Sequence, residues 1–391
     1  MSPARPGVAG AAPLVAMVAG EASGDFLGAH LITALKERIP GARFAGIGGP
    51  RMESAGLDAW YPMEKLAVRG YAEALRHYPE ITGIRRRLKR RLKAERPALF
   101  VGIDAPDFNL ALEHSLKHSG IPSVHYVGPS LWAWRGGRIR FMKRAVDAVL
   151  ALFPFEVPLY RSAGIPVTYV GHPLADEIPV GDATQAAREQ LRIRPDARVI
   201  ALLPGSRQSE LRFMADAFIR TAMLMHRRSP EMRFLVPLVS RETRAIFDQA
   251  LYDCGAGELP LTVLFGHARE AIAASDAVLV ASGTATLETA LFGKPMVIAY
   301  RMSPVSWSLM SRMRYQPWVG LPNIIAGEFI VPELLQDEAT PENLAQALYN
   351  QYSDPVVRER LPARFAAIHR QLRQDTSSRA ADALMPWLGR A

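Results

Sequence analysis

The chain has 391 residues, 49% hydrophobic and 22% charged, with 47 Lys plus Arg against 38 Asp plus Glu and a formal charge of +9. That length implies two or three folded units at roughly 150 residues each, and the balanced composition excludes a disordered chain. The single cysteine, Cys254, excludes an internal disulfide framework and fits a reducing compartment, while the positive excess suits an anionic partner: phosphate, nucleic acid or an acidic membrane surface.

Arg5 precedes a small apolar stretch that mimics a secretory leader, but Pro13 interrupts it. Residues 14–19 therefore read as a buried strand. No apolar run reaches the ~18 residues of a membrane span. A cytoplasmic protein is expected, with any membrane contact peripheral.

Short apolar runs then alternate with longer amphipathic stretches, the pattern of parallel sheets wrapped by helices. The first half predicts strands at 14–19, 43–47, 98–102, 123–127, 148–152 and 167–170, with helices at 25–38, 80–95, 108–119 and 155–163. The second half predicts strands at 199–203, 233–237, 261–264, 277–280 and 295–299, with helices at 210–226, 242–252, 268–274 and 284–292. From Pro341 onward the chain reads as helical. Gly171, Pro173, Pro179 and Gly181 punctuate a domain boundary. The division expected is 1–175, 176–355 and a helical tail, 356–391, packing back on the first domain. In doubly wound sheets, ligands bind beyond the carboxyl ends of the strands.

The first strand ends in Gly20-Glu21-Ala22-Ser23-Gly24-Asp25. The glycines allow a sharp turn and a close ligand approach. Ser23 or Asp25 is placed to cap the next helix. Glu21, at a strand's carboxyl end, is the residue hardest to explain structurally. The third strand ends in Gly102-Ile103-Asp104-Ala105-Pro106-Asp107-Phe108-Asn109. Pro106 suits a helix's first turn, so Asp107 reads equally as a helix-start charge. Asp104 precedes the turn and is freer to accept a proton from a hydroxyl nucleophile. After the fourth strand comes Trp132-Ala133-Trp134-Arg135, either a packed loop or an aromatic wall beside a sugar or lipid.

The helix near 81–96 carries an apolar stripe of Ile81, Ile84, Leu88 and Leu92 among Arg85, Arg86, Arg87, Lys89, Arg90, Arg91 and Lys93. A solvated face is one reading; contact with an anionic membrane is the other. His114 and His118 are four apart, but no third metal ligand lies nearby in sequence.

The second half opens with Pro204-Gly205-Ser206-Arg207, again strand, glycine turn and helix. Amides at a helix start favour an anion, and Arg207 can grip phosphate oxygens. The string is neither a Walker loop nor a Rossmann G-x-G-x-x-G. Its partner is Ala281-Ser282-Gly283-Thr284, where small residues admit a diphosphate. Glu288, one turn on from Thr284, is either a ribose ligand or a solvated helix residue. Arg301 and Leu321-Pro322-Asn323 follow the last strand, with Trp307, Met310, Met313, Tyr315 and Trp318 between them, a packed stretch or a surface for acyl chains.

Together these strings resemble the lipid-A-disaccharide synthase family over nearly the whole chain. The most specific are 102–109, 132–135, 204–207 and 281–284. Gly128, Leu131 and the Gly70-Tyr71 pair depart from the family pattern, which bears on acyl preference and not on the reaction. The resemblance implies a B-type glycosyltransferase fold, two Rossmann-like domains facing across a cleft. It implies inverting transfer of 2,3-diacylglucosamine from UDP to 2,3-diacylglucosamine 1-phosphate (lipid X). The products are a β-1,6-linked disaccharide phosphate and UDP.

In that scheme Asp104 is the base, assisted by Glu21. Ser23, Asp107, Asn109, Trp132, Trp134 and Arg135 meet substrate. Gly205, Ser206, Arg207, Ser282, Gly283, Thr284, Glu288 and Asn323 hold UDP. No metal or other cofactor is expected. The expected partners are the two substrates, the cytoplasmic face of an anionic inner membrane and a second copy of the chain, without specific nucleic acid. The alternatives are another UDP-sugar enzyme of the same fold, such as a peptidoglycan N-acetylglucosaminyltransferase or a UDP-sugar epimerase, and a non-catalytic membrane-surface or nucleic-acid-binding protein.

Overall fold

The computed structural model describes residues 12–66, 71–129, 138–304, 307–308 and 317–389, with 71–78 as backbone. Chain contacts divide it into two units, Met1–Pro173 with Leu372–Ala391, and Leu174–Gln371. The helical tail foreseen at 356–391 is thereby split. Its first part stays with the second unit, and only the chain from Leu372 returns to the first.

Seven parallel strands form the first unit's sheet: β1 Leu14–Ala19, β2 Arg43–Gly48, β3 Leu57–Pro62, β4 Leu99–Ile103, β5 Ser123–Tyr126, β6 Ala148–Ala151 and β7 Val167–Tyr169. Its order is β3-β2-β1-β4-β5-β6-β7. Helices α1 Ala22–Arg38, α2 Pro50–Ser54, α3 Tyr71–Glu95, α4 Pro106–Lys117, α5 Arg138–Ala145 and α6 Glu156–Ser162 fall between the strands. Strands β1 and β4 are buried along their whole length, as a parallel sheet covered on both faces requires. The strand order reverses between these two, so the unit's topological switch point lies at their carboxyl ends.

Among the elements that differ from the sequence expectation, β3 and α3 bear most on the first unit's site. Strand β3 lies at the sheet edge, and its Leu-Asp-Ala-Trp-Tyr-Pro is only partly buried, so it lacks the apolar run that marks a covered strand. Helix α3 begins at Tyr71 and runs through Pro79, where the sequence suggested a start near 80. Its Ile84, Leu88 and Leu92 are buried in the first unit's core. The apolar stripe is therefore already covered, and the exposed part of α3 is its arginine-rich face.

The second unit contains α7 Pro173–Glu177, α8 Thr184–Gln190, β8 Val199–Leu203, α9 Gln208–Arg228, β9 Arg233–Leu238, α10 Arg241–Asp253, β10 Leu261–Phe265 and α11 Ala268–Ala274. It continues through β11 Ala277–Ala281, α12 Thr284–Leu291, β12 Met296–Tyr300, α13 Leu321–Ala326, β13 Glu333–Leu335, α14 Pro341–Ser353 and α15 Pro355–Leu372. The parallel sheet runs β10-β9-β8-β11-β12-β13, so its switch point lies between β8 and β11.

The last helix, α16 Thr376–Leu388, buries Ala380, Ala381, Leu384 and Leu388 in the first unit's core. Arg38 of α1 fastens it, donating to Asp382 Oδ1 at 2.6 Å and to Ser378 Oγ at 2.6 Å. Among the described residues no helix is long and apolar enough to cross a membrane.

Candidate active site

The first switch point brings Glu21 and Asp104 to neighbouring strand ends. Ala19 of β1 pairs with Ile103 of β4, so both carboxylates lie within two residues of that pair. The two loops touch: a Cβ on Gly20 would stand 2.8 Å from Ala105 Cβ. Glu21 is exposed and caps α1 with its backbone, its carbonyl accepting from Asp25 N at 2.9 Å. Ser23 is exposed in the first turn of the same helix.

Asp104 and Ala105 both adopt left-handed backbone, with φ of 51° and 44°. Such conformations cost non-glycine residues roughly 1–3 kcal/mol each, and they concentrate where geometry serves chemistry. Two hydrogen bonds hold the turn. Asp104 N donates to Tyr126 O at 2.8 Å, and Asn109 Nδ2 donates to Asp104 O at 2.8 Å.

Asn109 also donates to Val18 O at 3.2 Å and Ile103 O at 3.4 Å, and it is fully buried. This corrects its assignment as a substrate contact: it is a brace between β1, β4 and the turn at Asp104. Asp25 is corrected likewise. Rather than capping its own helix, it accepts from Gly49 N at 2.8 Å, Arg51 N at 3.1 Å and Met52 N at 3.0 Å, and so caps α2. Asp107 is exposed and pairs with Arg138 Nη2 at 2.6 Å. An exposed pair of this kind contributes little to stability.

Near Asp104 lies a buried ionisable pair that the motif reading missed. His125 Nδ1 meets Glu113 Oε1 at 2.8 Å, with both side chains fully buried. A Cβ on Gly102 would come within 2.1 Å of Glu113 Oε1, so a glycine in β4 makes the room. Burial raises the Glu113 pKa, and the imidazole offsets it only in part. For His125, burial pulls the pKa down, but the Glu113 carboxylate and then Asp104 outweigh it, and the net direction is up. The available signal was Gly102 itself, since glycine inside a strand marks a close approach.

A second buried acid, Glu156, receives the Phe153 amide at 3.0 Å. Burial pushes its pKa up to about 8. Gly128 is buried beside it, where a Cβ would stand 2.1 Å from Tyr160 Oη and 2.8 Å from Glu156 Oε1. Trp132, Trp134, Arg135 and Leu131 lie outside the described residues, as do Gly70, Met310, Met313 and Tyr315.

The second switch point gathers the two glycine loops. Gly205, Ser206 and Arg207 follow β8, and Ser282, Gly283 and Thr284 follow its neighbour β11, where Val280 pairs with Leu203. Gly205 has φ +129° and Gly283 φ +145°, which side-chain-bearing residues rarely adopt. Glu210 closes the first loop: its Oε2 accepts from Ser206 N at 3.0 Å and Arg207 N at 3.2 Å. The two amides expected to face an anion are thus satisfied by the chain's own carboxylate. Arg207 is exposed, with Nη1 4.0 Å from Glu210 Oε1. Thr284 is exposed beside Gly283, and Ser282 Oγ donates to Val319 O at 3.4 Å.

Glu288 is not a solvated helix residue. Arg269 Nε holds it at 3.2 Å and also binds Glu177 through Nη1 at 2.8 Å. Burial raises the Glu288 pKa, opposed by Arg269. Asn323 is fully buried and internally satisfied. Its Nδ2 donates to Val331 O at 2.9 Å and Glu333 Oε1 at 2.8 Å, while its Oδ1 accepts from Ile330 N at 2.8 Å and Val331 N at 3.0 Å. Direct nucleotide contact is corrected to a bracing role. Glu333 passes the bracing on through Val319 N at 2.8 Å and Gly320 N at 2.9 Å, toward the carbonyl that Ser282 grips. Arg301 likewise serves the fold, donating to Gln336 O at 3.2 Å and Ala339 O at 2.7 Å. No cluster of three or more His, Cys, Asp or Glu able to hold a metal occurs among the described residues.

Solved structures similar to the chain include the glycosyltransferase of kitacinnamycin, with TM-score 0.63 and 18% identity, covering 96% of this chain and 99% of that one. UDP-GlcNAc 2-epimerase from Neisseria meningitidis bound to UDP-GlcNAc gives TM-score 0.63 at 14% identity, covering 97% and 100%. At such identities they show the fold alone, that of the B-type glycosyltransferases. Sequence relatives are far nearer. The lipid-A-disaccharide synthase of Aromatoleum aromaticum is 56% identical over 377 residues, 96% of each chain. That of Dechloromonas aromatica is 56% identical over 380 residues, 97% of this chain and all of its own. The family model for lipid-A-disaccharide synthetase matches residues 15–384. The chain belongs to the lipid-A-disaccharide synthase family.

Proposed function

We propose that this chain is the glycosyltransferase that joins 2,3-diacylglucosamine, carried on UDP, to 2,3-diacylglucosamine 1-phosphate. The acceptor 6-hydroxyl attacks the donor anomeric carbon, the bond from that carbon to the diphosphate breaks, and UDP leaves with the electron pair. An α-linked donor and a β-linked product make this one inverting displacement.

Asp104 takes the hydroxyl proton as the new bond forms. The observation that carries this role is its left-handed turn at the first switch point, braced by Tyr126 O and Asn109. Glu21, one strand away, orients the acceptor. A general base of this kind typically contributes about 10²–10⁴-fold. Arg207 and the exposed start of α12 at Gly283 and Thr284 stabilise the growing negative charge on UDP, and Glu288 holds ribose once Arg269 shares it. Asp107, Trp132, Trp134 and Arg135 are assigned to the acylated sugars.

The chain acts peripherally on the cytoplasmic face of an anionic inner membrane, and a self-associated pair of chains is the assembly assigned to it. Because the apolar stripe of α3 is already packed, its membrane contact is electrostatic, through Arg86, Arg87, Arg90, Arg91 and Lys93. Incubation with both acylated sugars tests the reaction. UDP and the disaccharide phosphate are expected only with the acylated pair. Equal use of unacylated UDP-N-acetylglucosamine contradicts the assignment and favours another UDP-sugar enzyme.

A further inference from the structure

A cavity of about 970 Å³ opens in the second unit, away from both glycine loops. Its floor is the chain entering β8, β11 and β12: Ala197 and Arg198, Ser275 and Asp276, and Lys294 and Pro295. Those are the amino ends of the strands whose carboxyl ends carry the loops at 205–207 and 282–284. The volume lies at the upper end of the range for small-molecule pockets.

The charges around it do not balance once internal bonds are counted. Asp276 is committed on both oxygens, to Arg188 Nη2 at 3.0 Å and to Val199 N at 2.8 Å. Arg188 is itself spent on Asp276, on Ala274 O at 2.9 Å and on Pro195 O. Asp182 accepts from the amide of Thr184 at 2.9 Å and from its hydroxyl. Arg198 pairs with Glu231, and Asp196 with Arg194 at 3.5 Å.

Two cations remain. Lys294 Nζ donates to the Thr184 hydroxyl at 2.5 Å, and no carboxylate among the described residues lies within ion-pair distance of it. Burial lowers its pKa, opposed by the charges of Asp182 and Asp276. The Arg358 guanidinium, on α15, has no hydrogen-bond or ion-pair partner among the described residues. Tyr352, half-buried, supplies ring surface on the wall of the same cavity.

We propose that this cavity is a second binding site, for a phosphate-bearing metabolite with a planar or apolar body. Lys294 and Arg358 take the phosphate, and Tyr352 lies against the body. A lysine offers a compact charge and an arginine a planar fork, which together suit phosphate oxygens.

Pyridoxal 5′-phosphate is the probe, because it carries a phosphate, a planar ring and an aldehyde. Its aldehyde condenses with a lysine amine, releasing water, and borohydride hydride fixes the imine as a secondary amine that peptide mass spectrometry locates. The full chain is expected to label at Lys294 about tenfold faster with pyridoxal phosphate than with pyridoxal, the worth of one charge-assisted contact. Inorganic pyrophosphate should protect Lys294. Arg358→Gln, exposed and remote from both glycine loops, should erase most of the phosphate advantage while leaving the fold unchanged. Equal labelling by the two aldehydes, no labelling of Lys294, or labelling that pyrophosphate does not slow would each overturn the proposal. Because the readout is a labelled lysine and not turnover, its outcome is independent of the assigned reaction.

Discussion

The two switch points are built on the same plan and stiffened by different means. In the first unit the glycines are there because of crowding. Gly20 faces Ala105, and Gly102 faces Glu113, with no room for a methyl group. The unusual backbone angles fall instead on Asp104 and Ala105. In the second unit Gly205 answers both demands, with φ +129° and Glu210 Cβ 2.6 Å from where its methyl group would stand, but nothing lies within 4 Å of that place on Gly283, and the reason for that glycine is φ alone. One loop is locked by packing around Asp104, the proposed base. The other is left open at Gly283, where UDP is proposed to bind.

Four substitutions put that contrast at risk. Gly102→Ala should be the most damaging, since its methyl group displaces one member of a buried hydrogen-bonded His–Glu pair. A loss of roughly 3–5 kcal/mol is expected in denaturant unfolding, the usual cost of breaking such a pair. Gly283→Ala should cost roughly 1–3 kcal/mol, the conformational penalty alone. Equal losses at both positions would remove the distinction between crowding and backbone freedom.

Glu156 gives a pH test on the first unit. Its folded pKa of about 8 stands above the ordinary carboxyl value of 4.5, so the folded state holds a proton that the unfolded state has released. Stability should therefore fall as pH rises from about 4.5 to about 8, by up to roughly 1.4 kcal/mol per pH unit from this group. Glu156→Gln, followed by thermal unfolding across that window, should flatten the dependence. A slope identical to the parent's would refute the assignment.

The smallest effect on stability is expected at Glu288→Gln, because its partner Arg269 is part-exposed and such pairs contribute about 1 kcal/mol or less. The same change should weaken UDP binding about tenfold if the carboxylate holds ribose. Unchanged UDP affinity in titration calorimetry would leave Glu288 a purely structural partner of Arg269.

The strand runs were legible because both central strands of each sheet are apolar throughout. All four edge strands are partly exposed, but β7 and β10 carry no charged residue and were legible, whereas Asp58 in β3 and Glu333 in β13 break the apolar signal. The loops carrying Asp104, Arg207 and Gly283 were readable as strand-to-helix turns with unusual residues. Which way a side chain faces inside such a turn was not. Asn109 and Asn323 sit within family strings, yet both point inward and brace backbone carbonyls and amides. Asp25 serves a helix 24 residues further on, through Gly49, a contact no local pattern encodes. The His125–Glu113 pair was hidden for the same reason, since its partners come from different elements.

The reaction assigned to the chain rests on Asp104 as the proton acceptor, and one substitution tests it. Asparagine tolerates left-handed backbone as aspartate does, so Asp104→Asn should preserve the turn. With both acylated sugars, UDP release should fall by about 10²–10⁴-fold while UDP binding and thermal stability stay near the parent's. Full UDP release by the Asn variant would contradict the account.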